Sequence, residues 1–204
     1  MRLFRAAAIV FVVALLLTTP VIFTPVSVVA EAPETRTPQW LFEHGHFGEA
    51  RETAAARVAR NARDAEALAW LARTYTSAGD LRTAVSFSER AIAATSRYPG
   101  GHMALAEALA AEAGQAGLLR QLPLARRIRK ALETAVDLAP RDPDALNGLL
   151  QFHLLAPAIA GGSEGRARQI AARIAAINPA RGLVAEGVIA ARRGDPRRVE
   201  ALLL

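Results

Sequence analysis

The sequence predicts an all-α solenoid in which helix pairs stack one behind another. Three observations carry that expectation. Alanine and leucine dominate, and β-branched residues are sparse beyond the first 30 positions, a mixture that favours helix. The segments Leu41–Ala59 and Tyr75–Ala93 align at an offset of 34 residues, so that Leu41 meets Tyr75, Gly45 meets Gly79 and Ala50 meets Ala84. Leucines at i, i+3 and i+4 give each helix one apolar face. No single pair encloses such a face, so neighbouring pairs must stack into a continuous core.

The N-terminus stands apart from this pattern. Arg2 and Arg5 precede an uncharged apolar run that holds Pro20 and Pro25 and closes on the small residues of "VSVVA". That order reads as a secretory signal over residues 1–30, cleaved after Ala30. The alternative is an uncleaved anchor, because Ala6 to Ala30 is long enough to cross a bilayer, although the two prolines argue against one continuous helix. With the arginines retained inside, either reading exports residues 31–204, the repeat domain, to a periplasmic or envelope location.

The helix pairs follow in order. Leu41–Ala59 holds a short first helix and a longer partner. The second unit is clearest: "DAEALAWLARTYTSAG" and "DLRTAVSFSERAIAAT", with Gly79 ending the first helix and Asp80 capping the second. A third unit pairs "GHMALAEALA" with "LARRIRKALETAVDLAP", and between them "AEAGQAGLLRQLP" reads as an insertion of about ten residues beyond the standard repeat. The fourth unit pairs "PDALNGLLQFHLL" with "SEGRARQIAARIAAINP". "RGLVAEGVIAARRGD" and "PRRVEALLL" begin a shortened fifth.

The period of 34, the first-helix set Leu68, Leu71, Ala72 and Tyr75, the Gly79 turn and the second-helix set Ala84, Ser88 and Ala91 resemble the tetratricopeptide repeat (TPR). The resemblance covers residues 36–204. Two positions depart from it: Ser88 stands where a large aromatic is usual, and Pro99 falls late. It implies a right-handed superhelix of antiparallel helix pairs. The combination of "APAIAGGS", the lengthened third unit and "INPARG" is also similar to a group of exported bacterial repeat proteins, which adds a location and no activity.

In tetratricopeptide repeats the first helices line a concave groove. Carried onto this chain, the partner-binding residues the resemblance implies are Trp70, Arg73, Glu107, Asn147 and Gln151. Trp70 is expected to anchor an apolar side chain and Arg73 a carboxylate. The lysine-asparagine set with which some such modules clamp a peptide carboxylate is not reproduced, since this groove has no lysine.

Other chemistry is weakly encoded. There is no cysteine, which excludes disulfides, thiolate nucleophiles and Cys-based metal sites. "HLLAPAIAGGSEGRARQI" begins like a phosphate loop, yet it has no Gly-Lys-Ser/Thr and no preceding strand, so it reads as a hinge between helices. His44 and His46 form a solvated turn rather than a metal site, His153 a packed residue, and His102 an exposed helix start. The run "RQLPLARRIRK" spaces its arginines as an ordinary amphipathic helix does. The net charge of +6 is nearly all arginine and lacks the localised basic face with stacking aromatics that nucleic acid requires. No triad or serine elbow occurs. The expected function is an exported scaffold that binds a protein or peptide, without catalysis, cofactor or nucleic acid. The rivals are a membrane-anchored envelope assembly factor, held by residues 1–30, and a metal-dependent or hydrolytic enzyme.

Overall fold

A computed structural model of the chain describes residues 36–203; the expected signal segment lies outside the described residues. Ten α-helices and one 3-10 turn make up the described part, which contains no strand. They are α1 (Pro38–Glu43), α2 (Phe47–Arg60), α3 (Ala65–Ser77), α4 (Leu81–Ala94), α5 (Pro99–Gln115), α6 (Leu118–Leu138), α7 (Pro143–Leu155), α8 (Glu164–Ile177), α9 (Pro179–Arg192) and α10 (Pro196–Leu203). The 3-10 turn, Ala158–Ala160, lies between α7 and α8. Odd-numbered helices are the first members of five pairs; each packs on its own partner, and neighbouring units pack on one another along the chain. Among the described residues no helix is long and apolar enough to cross a membrane.

The boundaries follow local chemistry. Gly45, Gly79 and Gly194 end first helices at φ of 81°, 80° and 70°, in the left-handed region where a side chain is strained. Asp80 then accepts from the Thr83 N–H at 3.2 Å and Asp195 from the Arg198 N–H at 3.0 Å, so the Gly-Asp pair stops one helix and caps the next. Prolines open α1, α5, α7, α9 and α10, at a position whose N–H has no helical partner anyway. Pro99, late for the repeat pattern, is thus the first residue of α5.

Asp64 combines two roles. Its side chain caps α3 through the Ala67 N–H at 3.0 Å, and it takes the Arg57 guanidinium on both oxygens at 2.9 and 3.1 Å, tying α2 to α3. Burial works to raise its pKa, but the Ala67 N–H and the Arg57 charge outweigh burial and hold the carboxyl below its ordinary 3.8.

Ala50, Ala84 and Ala167, the small second-helix residues, have no exposed surface and let paired helices approach closely. Leu68, Leu109, Leu146 and Leu150 are first-helix leucines buried in apolar clusters shared with the second helices. The Ser88 departure has a local answer. Its hydroxyl donates to the Ala84 carbonyl at 2.9 Å, and Phe87 supplies the aromatic ring, stacked on Tyr75 with centroids 5.5 Å apart.

One sequence expectation takes a definite form and one needs correction. The inserted residues of "AEAGQAGLLRQLP" are helical: they extend α5 to Gln115 and start α6 at Leu118, with Pro123 inside the helix. Alanine, leucine, glutamine and arginine propagate helix readily, and Pro123, near the start of α6, removes a single N–H donor. His102 is half-buried rather than exposed, with Nε2 on the Ser96 carbonyl at 2.9 Å.

Candidate binding groove

A groove of about 1200 Å³ runs across the first four units. Helical spacing builds it. Trp70 and Arg73 of α3, Met103, Ala106, Glu107 and Ala110 of α5, and Asp144, Asn147, Gly148 and Gln151 of α7 are each a stripe at intervals of three and four residues. Phe42 and Glu43 of α1 close one end. Small residues keep the floor open: a Cβ on Gly148 would lie 2.9 Å from Leu132 Cδ2 and 3.3 Å from Met103 Cε.

All five residues placed on the groove from the sequence line it: Trp70, Arg73, Glu107, Asn147 and Gln151. Their states differ from expectation at two positions. Trp70 is only 6% exposed; Phe42 packs on its ring at 5.6 Å and the Arg73 guanidinium lies 4.6 Å from its centroid. It is a wall rather than a projecting anchor. Arg73 already holds a carboxylate, pairing with both oxygens of Glu107 at 3.0 and 2.9 Å. These residues are 34 positions apart, equivalent places in consecutive repeats, which is why they face each other. The side-chain amides of Asn147 and Gln151 have no hydrogen-bond partner among the described residues and border the groove.

Sequence reasoning missed the side of the groove. Leu119, Leu122, Ala125 and Ile128 of α6 line it, as do Pro157 and Ile159 of the α7–α8 connection. Leu122, Ala125 and Ile128 stand at helical spacing inside the run already read as an amphipathic helix, but the resemblance assigns only first helices to the groove, and α6 is a second helix.

No family model matches the chain, and no curated protein matches it. Solved structures do. The crystal structure of TTC0263, a thermophilic TPR protein of Thermus thermophilus, superposes with a TM-score of 0.71 at 24% identity, over 81% of this chain and 84% of that one. The chain has the tetratricopeptide-repeat fold. MamA of Desulfovibrio magneticus RS-1 (residues 41 to the end) matches with a TM-score of 0.55 at 14% identity, over 81% of this chain and 86% of that one. YrrB, described as a TPR protein with an unusual peptide-binding site, matches with a TM-score of 0.50 at 17% identity, over 81% and 79%. The pairs therefore form the right-handed superhelical TPR solenoid.

Within this TPR solenoid the remaining candidates have structural occupations. His44 and His46 stack on Trp40 with centroids 4.0 and 6.1 Å away, and His46 faces Glu49 at 3.4 Å. Arg120, Arg127 and Arg129 of the basic run face Glu112, Glu89 and Glu133. At the Gly-Gly-Ser turn, Gly161 takes φ of 98° and Ser163 caps α8 through the Arg166 N–H at 3.4 Å. The cleft beside it, about 370 Å³, contains Arg192 and Arg193. Its anion is the chain's own Glu164, which pairs with Arg193 and with Arg168.

His153 pins this turn. It is 4% exposed, its Nδ1 lies 3.1 Å from the Gly161 carbonyl and therefore carries the proton, and its own carbonyl accepts the Ser163 N–H at 2.9 Å. Burial holds the imidazole below its ordinary 6.5. A folded-state pKa depressed below the unfolded value means that the unfolded chain binds the proton first. Stability from this group is therefore complete above about pH 6.5 and lost as pH falls through the depressed folded value. Thermal midpoints recorded from pH 7.5 to 5 should fall, and His153→Gln should flatten that part of the curve.

Proposed function

We propose that this chain is an exported, non-catalytic TPR scaffold that binds a protein or peptide partner in the groove formed by its first helices. One observation carries the reading: a single open groove joins four repeats and presents the unpartnered amides of Asn147 and Gln151 beside an apolar floor. Such amides suit the N–H and C=O groups of a bound backbone, and the apolar floor suits side chains. YrrB, a similar fold, is named for a peptide-binding site. Arg73 and Glu107 act as a paired unit that shapes the groove beside Trp70. The basic, apolar, small-residue order of residues 1–30 supports export, with a mature chain beginning at Glu31.

The test is comparative capture. Tagged parent and Ala110→Arg, which fills the groove from an exposed position, are each used on an envelope extract. Proteins bound by the parent and lost by an equally folded Ala110→Arg support the reading, and identical captured sets overturn it. N-terminal sequencing of the same preparation decides location. Glu31 as first residue supports cleavage and export, Met1 in a membrane pellet favours the anchored assembly factor, and a soluble cytoplasmic chain overturns both.

A further inference from the structure

The two departures from the standard repeat lie side by side. In an antiparallel stack, every connection within a helix pair falls on the same edge of the solenoid. The α5–α6 hairpin is lengthened and the next connection, α7–α8, carries the extra 3-10 turn, so both project at that edge from adjacent units. They meet: the 3-10 turn packs against α6, and the backbone at Gly161 abuts the Arg129 side chain.

Together they raise an apolar wall. Leu119 is 94% exposed, Ile159 78% and Leu155 63%, and all three line the groove. An exposed apolar cluster rimming a groove marks a surface that buries itself against something. The charge of the groove limits what that is. Its lining carries Glu43, Glu107 and Asp144 against Arg73 alone, in a chain of net charge +6. Glu107 shares Arg73, Asp144 pairs with Arg181 from outside the groove, and Glu43 has no cationic partner among the described residues, only the Gln39 amide at 2.9 Å. A carboxylate at the end of an apolar trough favours a cation there and repels an acid.

We propose that the groove takes an apolar segment of another polypeptide that also carries a lysine or arginine. Large aliphatic side chains of the segment seat against Leu119, Leu155 and Ile159, and its cation lies at Glu43. The inference rests on the peptide-binding reading above and adds the chemistry of the peptide.

A phage-displayed library of random dodecapeptides is selected on the immobilised full chain, and enriched sequences are synthesised and titrated. The expected consensus holds two or more large aliphatic residues and a lysine or arginine. Affinity for such a peptide should fall at least about ten-fold in the Leu119→Asp, Ile159→Asp double variant, whose exposed positions leave the fold intact by thermal midpoint. Glu43→Lys should shift selection towards aspartate and glutamate. Peptides that Ala110→Arg displaces but that are acidic or wholly polar would overturn this inference and leave the scaffold reading standing. Peptides indifferent to every groove variant would overturn both. A dimer of the full chain that dissolves in the double variant would also overturn it, in favour of a second copy on the wall.

Discussion

Leu146→Ala will lower the stability of this chain by about 2–5 kcal/mol, the range for emptying a well-packed leucine site. Leu146 has no exposed surface and belongs to the largest apolar cluster, which joins α5, α6, α7, α8 and α9. The loss is large because of where α7 stands. In a solenoid each unit is held only by its neighbours, so a cavity in a central first helix weakens its own pair and both adjoining interfaces. Relaxation is limited, since Ala145, Leu150 and Ala167 of the same cluster are themselves fully buried in a close-packed interior. Leu183→Ala provides the contrast: that leucine is 49% exposed on the terminal pair, and its removal should cost about 1 kcal/mol or less. Denaturant unfolding of both variants checks the pair. Equal losses would mean that the stack is not held together through the centre of α7.

The legible parts of this fold are those where geometry demands a residue type. A left-handed turn demands glycine, so Gly45 and Gly79 marked the period; close approach demands a small residue, so Ala50 and Ala84 confirmed it. Asp80 announced a helix start by capping it, and the structure adds the same cap at Asp64, Asp142 and Ser163. The groove face was legible through the resemblance, which assigns first helices to the concave side, and Trp70, Arg73, Glu107, Asn147 and Gln151 line the groove. Depth and partnership were not. Trp70 sits on the expected face, yet Phe42 and Arg73 cover it, and those contacts come from other elements. The Arg73–Glu107 pair was encoded in the same 34-residue spacing as the turns, since equivalent positions of consecutive repeats are neighbours. The start of α6 was obscured because Gly117 and Pro123 are locally discouraging, while the buried Leu124 and Ile128 that hold the helix act only once it is packed.

Replacing both Gly161 and Gly162 with alanine should cost roughly 2–4 kcal/mol, with Gly162→Ala the larger part. At Gly161 the cause is conformational. Its φ of 98° lies where any side chain is strained, by about 1–2 kcal/mol, while the atoms its Cβ would meet belong to the flexible Arg129 side chain and can move aside. At Gly162 the backbone is permissive and the space is not: a Cβ would run into the Ala156 carbonyl, which cannot shift without displacing the turn. Ser163→Ala should cost about 0.5–1 kcal/mol, because its cap to the Arg166 N–H is long at 3.4 Å. Phosphate should change none of these values. A ligand that binds the folded chain raises the midpoint in a saturable way, and here the anion position beside Arg193 is filled by Glu164 through a bond within the same molecule. A displacing phosphate would have to break that pair and the Glu164–Arg168 pair together. Denaturation of the single and double variants, with and without millimolar phosphate, measures both parts of the argument. A larger loss at Gly161 than at Gly162 would locate the strain in φ rather than in the Ala156 contact. A saturable rise in the parent's midpoint that the double variant loses would make the turn an anion site after all.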